Sequence, residues 1–266
     1  GGAELGQVVV ARLTEAPSLF AQPVGRVVEV LGGLDDPGME IEIAVRKYGV
    51  PHRFSDECLQ LAKALPDELR PSDYKDRVDL RDVPLVTIHG EDARDFDDAV
   101  YCEPARVGRR KGWRLLVAIA DVSHYVETGS AIDIDAYDRA TSVYFPRRVI
   151  PMLPESLSNG LCSLKPEVDR LVMVCEMSIG GAGPNAGQIK NYRFYPAVIH
   201  SQARLTYTQV AAALGLLPAQ GAPLPESLLP RLRDLYSLYQ LLARAREKRG
   251  AIDFETVETR MLFDAQ

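Results

Sequence analysis

In the first fifty residues, hydrophobic and polar side chains alternate over short runs, and proline or glycine turns separate the runs. A period of two is typical of β-strands that bury one face. The pattern predicts three strands, at residues 7–13, 25–31 and 41–45. Three strands alone would leave exposed edges, so we expect residues 1–50 to be part of a small antiparallel barrel whose beginning is missing.

A helical pattern follows the predicted strands. Ser55 is its expected cap, Pro66 is its stop, and four apolar residues share one face: Cys58, Leu61, Ala62 and Leu65. Residues 66–84 contain three prolines and many charged side chains, which is typical of a linker. We therefore predict that residues 51–84 form a helix and a linker.

From residue 85 onward, strand patterns occur together with capped helices. Runs rich in β-branched and aromatic side chains predict strands at residues 85–88, 99–102, 113–120, 171–179 and 188–199. Residues 106–111 are predicted to form a basic hairpin loop. This pattern indicates that residues 85–266 form an α+β domain.

Three helices are predicted in this second region. Ser130 and Thr206 begin two of them as capping boxes. The third spans residues 227–249, with apolar residues at 228, 232, 235, 239 and 242. No glycine-rich phosphate loop accompanies these elements, which excludes Walker-type and dinucleotide-binding sites.

Composition narrows the class of protein. The 266 residues include 31 basic and 37 acidic side chains and are 46% hydrophobic, which is ordinary for a globular chain and excludes disorder. The longest apolar run is far shorter than the roughly 20 residues of a membrane span, so we expect a soluble protein. Four cysteines without a Cys-x-x-Cys pair indicate reduced thiols and a cytoplasmic location. The chain does not start with methionine, so we expect it to be cut from a longer one.

An acidic segment stands out between two predicted strands. Residues 86–103 contain six acidic side chains against one basic one. A bound divalent cation such as Mg²⁺ would offset the repulsion among these carboxylates, whereas the alternative is a solvated acidic turn. In an extended chain Asp95 and Asp97 would point to one side and Asp98 to the other, so a shared site requires a bent loop. A calcium EF-hand is excluded because its glycine and its final glutamate are not in place.

Several ordered segments resemble one known family. Residues 87–99, 117–126, 141–146, 150–155 and 157–164 look like the ribonuclease II/ribonuclease R family of RNB exoribonucleases, and most resemble its bacterial ribonuclease R members. The resemblance implies a partial OB-type (cold-shock) β-barrel followed by the N-terminal part of an RNB-type catalytic domain. It also implies that the parent protein hydrolyses RNA from a single-stranded 3′ end to nucleoside 5′-monophosphates. Mg²⁺ is the implied cofactor, with Mn²⁺ as an alternative, and no membrane is involved.

The resemblance assigns roles to particular residues. Asp95, Asp97 and Asp98 fall on catalytic aspartates, with Asp95 and Asp98 as metal ligands and Asp97 as the carboxylate whose loss most simply abolishes cleavage. Tyr144 and Tyr207 fall on aromatic positions that hold the bases at the 3′ end of RNA. Stacking of bases on aromatic rings contributes about 1–3 kcal/mol per base without sequence preference.

His89 departs from the family pattern, because it stands where the first of four family aspartates falls. An imidazole nitrogen is a softer ligand that Mg²⁺ disfavours and Mn²⁺ or Zn²⁺ tolerates better. His89 is therefore a metal ligand, a variant with altered metal affinity or a packing residue. The alternative function is a catalytically inactive RNA-binding fragment or pseudoenzyme. A third function, hydrolysis of small phosphate esters, would be insensitive to competing RNA.

Two further features allow a functional and a structural interpretation. Basic residues at 106, 109, 110, 111, 114, 147 and 148 could guide an RNA backbone or merely solvate the surface. His124 lies near Asp121 and Ser123, but no nucleophile elbow accompanies them. We therefore expect His124 to have a structural role at the end of a strand.

Overall fold

The computed structural model describes residues 2–16, 18–20, 22–146, 148–218, 224–252 and 254. The strands in this part of the chain are β1 Gln7–Glu15, β2 Val24–Gly33, β3 Val78–Asp79, β4 Val86–His89, β5 Asp98–Val107, β6 Arg110–Ala120, β7 Val143–Phe145, β8 Arg148–Ile150, β9 Asp169–Gly180, β10 Ile189–His200 and β11 Ala203–Thr206. The helices are α1 Met39–Lys47, α2 Asp56–Ala64, α3 Ala131–Arg139, α4 Tyr207–Ala213 and α5 Leu229–Lys248.

The chain divides into two compact units. The first consists of Gly1–Asp56 and Ile134–Met152, and the second of Glu57–Asp133 and Leu153–Gln266. In the first unit β1 pairs antiparallel with β2, and β7 pairs antiparallel with β8. The strands predicted at residues 7–13 and 25–31 are therefore present.

The strand predicted at residues 41–45 is wrong, because this segment lies in α1. Ile41 and Ile43 alternate with acidic residues, which imitates a strand, yet Ile43 is 36% exposed. Glu42 instead accepts a hydrogen bond from Arg46 one helical turn later and a second one from Arg148. Gly38 precedes the helix with φ +83°, a left-handed conformation that favours glycine.

The helix predicted after Ser55 is confirmed as α2. Two of its four expected core residues, Cys58 and Ala62, are buried, whereas Leu61 is exposed. The predicted linker contains β3, which pairs in parallel with β10 through Val78 and Ala197. This part of the linker is therefore an edge of a sheet.

A seven-stranded sheet forms the second unit, in the order β11-β4-β5-β6-β9-β10-β3. The pairs β4–β5, β5–β6, β6–β9 and β9–β10 are antiparallel, whereas β11 runs parallel to β4 and β3 runs parallel to β10. The predicted hairpin of residues 171–179 and 188–199 is present as β9 and β10. The basic hairpin predicted at residues 106–111 is present between β5 and β6, but its loop is only a two-residue turn, because Val107 pairs with Arg110. Gly108 has φ +62°, which suits this tight turn.

Helix α5 packs against the sheet in two hydrophobic clusters. One cluster combines Leu228 and Leu232 with Val86 and Leu205, and the other combines Leu238 and Leu241 with Cys102 and Ile179. The predicted apolar stripe of the helix included residue 239, but Tyr239 is exposed. The buried stripe continues instead through Leu238, because a helix of 3.6 residues per turn can place either neighbour on the inner face.

The cysteines are free thiols, and none forms a disulfide. In the described part of the chain, no helix combines the length and the apolar character that crossing a membrane requires.

Candidate metal and active site

The candidate site lies where β4 ends and β5 begins. His89 is the last residue of β4, Asp98 is the first residue of β5, and these neighbouring strands are antiparallel. Residues 90–97, four of which are acidic, form the loop between them, so the end of β4 and the start of β5 lie side by side. The distance from His89 Nε2 to Asp98 Oδ1 is 3.6 Å.

Three side chains converge at this point. His89, Asp97 and Asp98 each offer one ligand atom, and these atoms lie within 4.8 Å of one another. Asp97 can join Asp98 because it lies in the loop, before the side-chain alternation of β5 begins. Asp95, which is among the described residues, does not belong to this group. The structure therefore brings together two of the three predicted aspartates, and the metal-binding role of Asp95 stays a prediction.

Phe96 anchors the loop to the body of the second unit. Its backbone N–H donates to Ser163 Oγ at 3.2 Å, and its carbonyl accepts from the N–H of Leu164 at 2.6 Å. The carbonyl of Asp97 accepts from the N–H of Ala120 at 2.9 Å. The Phe96 side chain is buried and its ring centroid lies 5.5 Å from that of His89. These contacts fix the backbone of the loop that carries Asp97.

Arg204 supports the loop from the neighbouring strand β11. Its Nη2 donates to the carbonyl oxygens of Glu91 at 2.9 Å and Ala93 at 3.4 Å. Its guanidinium lies 5.1 Å from the centroid of the Phe96 ring, within cation–π distance. Sequence reasoning missed this role, since an arginine in a strand carries no signal that it will contact a loop more than a hundred residues earlier.

The electrostatics of the site favour a cation. Burial raises the pKa of the Asp98 carboxyl above its ordinary value, His89 opposes this shift, and the negative charge of Asp97 adds to it. His89 Nε2 is buried and has no hydrogen-bond partner. One unpartnered imidazole nitrogen beside two carboxylates is a donor set that fits a divalent metal ion. A bound metal ion would satisfy all three groups together.

The two predicted base-binding tyrosines lie in different units. Tyr207 is the first residue of α4, directly after Thr206, whose register partner on β4 is His89. Thr206 caps α4 in a reciprocal capping box with Gln209, as predicted. Tyr207 is 63% exposed, so its ring is accessible near the end of β4 that carries His89. Tyr144 lies on β7 in the first unit and is also exposed.

The basic residues singled out in the sequence differ in their surroundings. Arg114 forms ion pairs with Glu103 at 3.1 Å and Glu176 at 3.0 Å, and Arg148 pairs with Glu42. The strand ends and turn at 106, 109, 110 and 111 are exposed, and Arg147 lies outside the described residues. Arg114 therefore belongs to an ion-pair network within the sheet.

His124 takes part in a separate buried network at the end of β6. Arg77 Nη2 donates to Asp121 Oδ2 at 2.7 Å and lies 3.3 Å from His124 Nδ1. Ser123 Oγ donates to Asp121 Oδ1 at 2.7 Å. The serine contacts the aspartate rather than the histidine, so the arrangement is not a catalytic triad. It is an ion-pair network, in agreement with the structural role expected for His124.

Comparison with known proteins identifies the family. The family model described as RNB domain matches residues 77–266, which is more than half of the chain. The chain belongs to the RNB domain family. A second model, described as Cold shock domain, matches residues 1–55. The predicted order of a cold-shock barrel followed by the start of an RNB domain is therefore confirmed.

Curated relatives of this RNB chain carry the name ribonuclease R. The protein from Vibrio cholerae is 51% identical over the whole of this chain, and that from Escherichia coli is 50% identical. The match covers 31% and 32% of these two relatives, so the chain spans about a third of their length.

Solved structures show the same fold. The structure of Mycoplasma genitalium RNase R with ribose-methylated single-stranded RNA has a TM-score of 0.87 and 34% identity, covering 98% of this chain and 39% of that one. Its complex with double-stranded RNA matches equally well and is covered to 44%. Yeast Ssd1, a pseudonuclease, has a TM-score of 0.63 at 21% identity, with 92% of this chain and 28% of Ssd1 covered. This last likeness concerns the fold alone.

Proposed function

We propose that this chain is part of a metal-dependent exoribonuclease that hydrolyses RNA from a single-stranded 3′ end and releases nucleoside 5′-monophosphates. The observation that carries the proposal is the group of His89, Asp97 and Asp98 at the junction of β4 and β5 in a chain of the RNB family. Relatives named ribonuclease R, and RNase R structures that contain RNA, support the choice of substrate.

The carboxylates of Asp97 and Asp98 and the Nε2 atom of His89 would hold the cation, and the resemblance adds Asp95 to this set. A divalent cation supplies positive charge beside the scissile phosphodiester. The two carboxylates alone would repel an RNA phosphate. A bound cation would cancel this repulsion and allow the phosphate to approach. Arg204 keeps the loop backbone in the shape that aims the carboxylates at one point.

Aromatic residues would position the RNA. Tyr207 is exposed and directly follows the strand residue that pairs with His89, so its ring can stack on a base near the reacting phosphate. Tyr144 is the second proposed stacking residue, from the resemblance and from its exposure. Stacking without base-specific hydrogen bonds suits an enzyme that degrades any sequence.

The test compares Asp97→Asn with Asp92→Asn in the full-length protein that carries this sequence. Both changes remove one negative charge from the same loop, but only Asp97 belongs to the converging group. With 5′-labelled oligoribonucleotide and Mg²⁺ or Mn²⁺, Asp97→Asn should lose cleavage by a factor of about 10³ or more and still bind RNA, since it removes a charged group aimed at the reacting centre. Asp92→Asn should cleave normally.

The pattern of products tests direction and chemistry. Shortening of the labelled RNA from its 3′ end, with nucleoside 5′-monophosphates as products, is expected; a circular RNA without an end should resist. Undiminished cleavage by Asp97→Asn would remove this residue from the mechanism. With either metal, the wild type and His89→Asp could both bind RNA and leave it uncleaved. That result would support instead the non-catalytic RNA-binding function, which is favoured by a histidine at a family aspartate position.

A further inference from the structure

We propose that His89 makes the cation site a nitrogen-containing one that selects a first-row transition-metal ion over Mg²⁺. This inference rests on the proposed function only in placing a divalent cation at His89, Asp97 and Asp98. It goes further in naming which class of cation the site prefers and the residue that sets the preference.

The first observation is the state of the His89 ring nitrogen. His89 Nε2 is buried and has no hydrogen-bond partner, although the Oδ1 atom of Asp98 lies 3.6 Å away. That distance exceeds the 2.7–3.2 Å of an N–H···O hydrogen bond. It is also within the span of about 4.2 Å available to two donors that each bind one metal ion at about 2.1 Å. The nitrogen is placed to share a cation with the carboxylate rather than to bond with it directly.

The second observation is a comparison with His200 in the same unit. His200 Nδ1 lies 2.8 Å from Asp169 Oδ1, within hydrogen-bond distance. That pair satisfies its polar atoms without any added ion. His89 and Asp98 are the same two residue types, but the wider gap between them leaves His89 Nε2 buried without a partner, and the carboxylate of Asp97 lies beside it.

The third observation is that the imidazole cannot easily turn away from the site. The His89 side chain is only 12% exposed, and its ring lies against Phe96, which is itself anchored to residues 163 and 164. The backbone of His89 is held in register with Thr206 of β11. A cation that enters between Asp97 and Asp98 therefore meets the nitrogen whether or not it prefers such a ligand.

Ligand chemistry then decides the preference. Mg²⁺ is a hard ion that favours oxygen ligands and holds its waters tightly, whereas imidazole nitrogen binds later first-row ions such as Zn²⁺ more strongly. Mn²⁺ accepts both carboxylate oxygen and imidazole nitrogen. A nitrogen held among carboxylates thus penalises Mg²⁺ relative to the transition-metal ions.

The experiment uses Mn²⁺ as a paramagnetic probe in the full-length protein that carries this sequence. Wild type is compared with His89→Asp, which restores an all-oxygen donor set, and with His52→Gln as a control histidine outside the converging group. Pulsed electron paramagnetic resonance detects ¹⁴N coupling to bound Mn²⁺, and titrations with Mn²⁺, Zn²⁺ and competing Mg²⁺ give the affinities.

Wild type and His52→Gln should show ¹⁴N coupling and bind Mn²⁺ and Zn²⁺ at least about tenfold more tightly than Mg²⁺, in line with the ligand preferences of these ions. His89→Asp should lose the coupling and most of the preference. Bound Mn²⁺ without ¹⁴N coupling in the wild type, an unchanged preference in His89→Asp, or no binding of Mn²⁺ would each overturn the inference.

RNA cleavage, measured in parallel, separates this inference from the proposed function. One possible outcome is equal RNA cleavage with Mg²⁺ and Mn²⁺ while the bound Mn²⁺ shows no ¹⁴N coupling. This outcome would support the exoribonuclease proposal and refute the metal preference. Nitrogen-coupled Mn²⁺ in a protein that degrades no RNA would support the metal preference and refute the exoribonuclease.

Discussion

Two clusters of histidine and aspartate in the second unit differ in where their positive charge comes from. Around His124, the guanidinium of Arg77 lies inside the cluster and donates to Asp121. Around His89, Asp97 and Asp98 stand together, and the nearby Arg204 donates to backbone carbonyls instead of to these carboxylates. In the first cluster Arg77 supplies the positive charge, whereas in the second the proposed cation would supply it. A cluster of acids and histidine indicates a binding site when no side chain of the protein neutralises it.

Replacing Arg77, the positively charged side chain of the first cluster, should have the largest effect on stability. Arg77 and Asp121 are both buried, so Arg77→Met leaves a buried carboxylate unpaired and should lower the free energy of unfolding by about 3–5 kcal/mol. Chemical denaturation measures the loss. Arg81→Met removes more exposed ion pairs, with Asp79 and Asp169, and should lower the free energy of unfolding much less. Equal losses in the two variants would contradict the distinction between the clusters.

Removing the arginine beside the second cluster should act on metal binding. Arg204→Met keeps much of the side-chain volume but deletes the hydrogen bond to Glu91, of about 1.5–3 kcal/mol for a charged donor, and the longer contact with Ala93. The loop should loosen, Mn²⁺ affinity should fall several-fold, and amides of residues 90–97 should exchange faster with deuterium. Arg193→Met, which removes an exposed partner of Glu176, is the matched control. Unchanged loop exchange in Arg204→Met would show that Phe96 alone holds the loop.

The smallest effect is a difference in pH dependence between the two clusters. Burial raises the pKa of Asp98, so in metal-free protein its favourable contribution is present at low pH and is lost as pH rises above about 4. Burial would also raise the pKa of Asp121, but hydrogen bonds from Ser123 and Arg77 hold it below its ordinary value, so its contribution is present at neutral pH and is lost as pH falls.

Denaturation at several pH values, in chelator, measures this difference. Relative to wild type, Asp98→Asn should become more stable as pH rises from about 4 to 7, by less than about 1 kcal/mol because the side chain is partly exposed. For Asp121→Asn, the loss of stability relative to wild type should be complete above about pH 4 and should shrink as pH falls below that value. Saturating Mn²⁺ should reverse the order for Asp98→Asn, because the metal stabilises only the protein that binds it. The same pH trend in both variants would refute the contrast.

The location of the site was predictable because it depends on local patterns. The hydrophobic runs at 85–88 and 99–102 flank the acidic stretch, and antiparallel pairing of the resulting strands brings His89 beside Asp98. The path of the loop between them was not predictable, since it depends on contacts of Phe96 with Ser163, 67 residues later, and of Arg204 with Glu91, 113 residues earlier. For this reason the residue pattern placed Asp95 and Asp97 on the same side and did not show that Asp97 is the one that converges with Asp98.

The wrongly predicted strand has a similar cause. Residues 41–45 read Ile-Glu-Ile-Ala-Val, and so short a pattern is compatible with a strand and with a short helix. One deciding contact is local, between Glu42 and Arg46, and another joins Glu42 to Arg148, 106 residues away. Periodicity over so short a window carries less information than the ion pairs that the folded unit makes.

The parallel pairing of β11 with β4 has a consequence for synthesis of the protein. The residues that would hold the cation leave the ribosome early, but Arg204, which shapes their loop, follows more than a hundred residues later. Contacts so distant along the chain form late, after the closure of a long loop. A nascent polypeptide that ends before β11 therefore carries the acidic residues without the arginine that supports their loop, and the proposed cation site would gain its full affinity only once β11 has been translated.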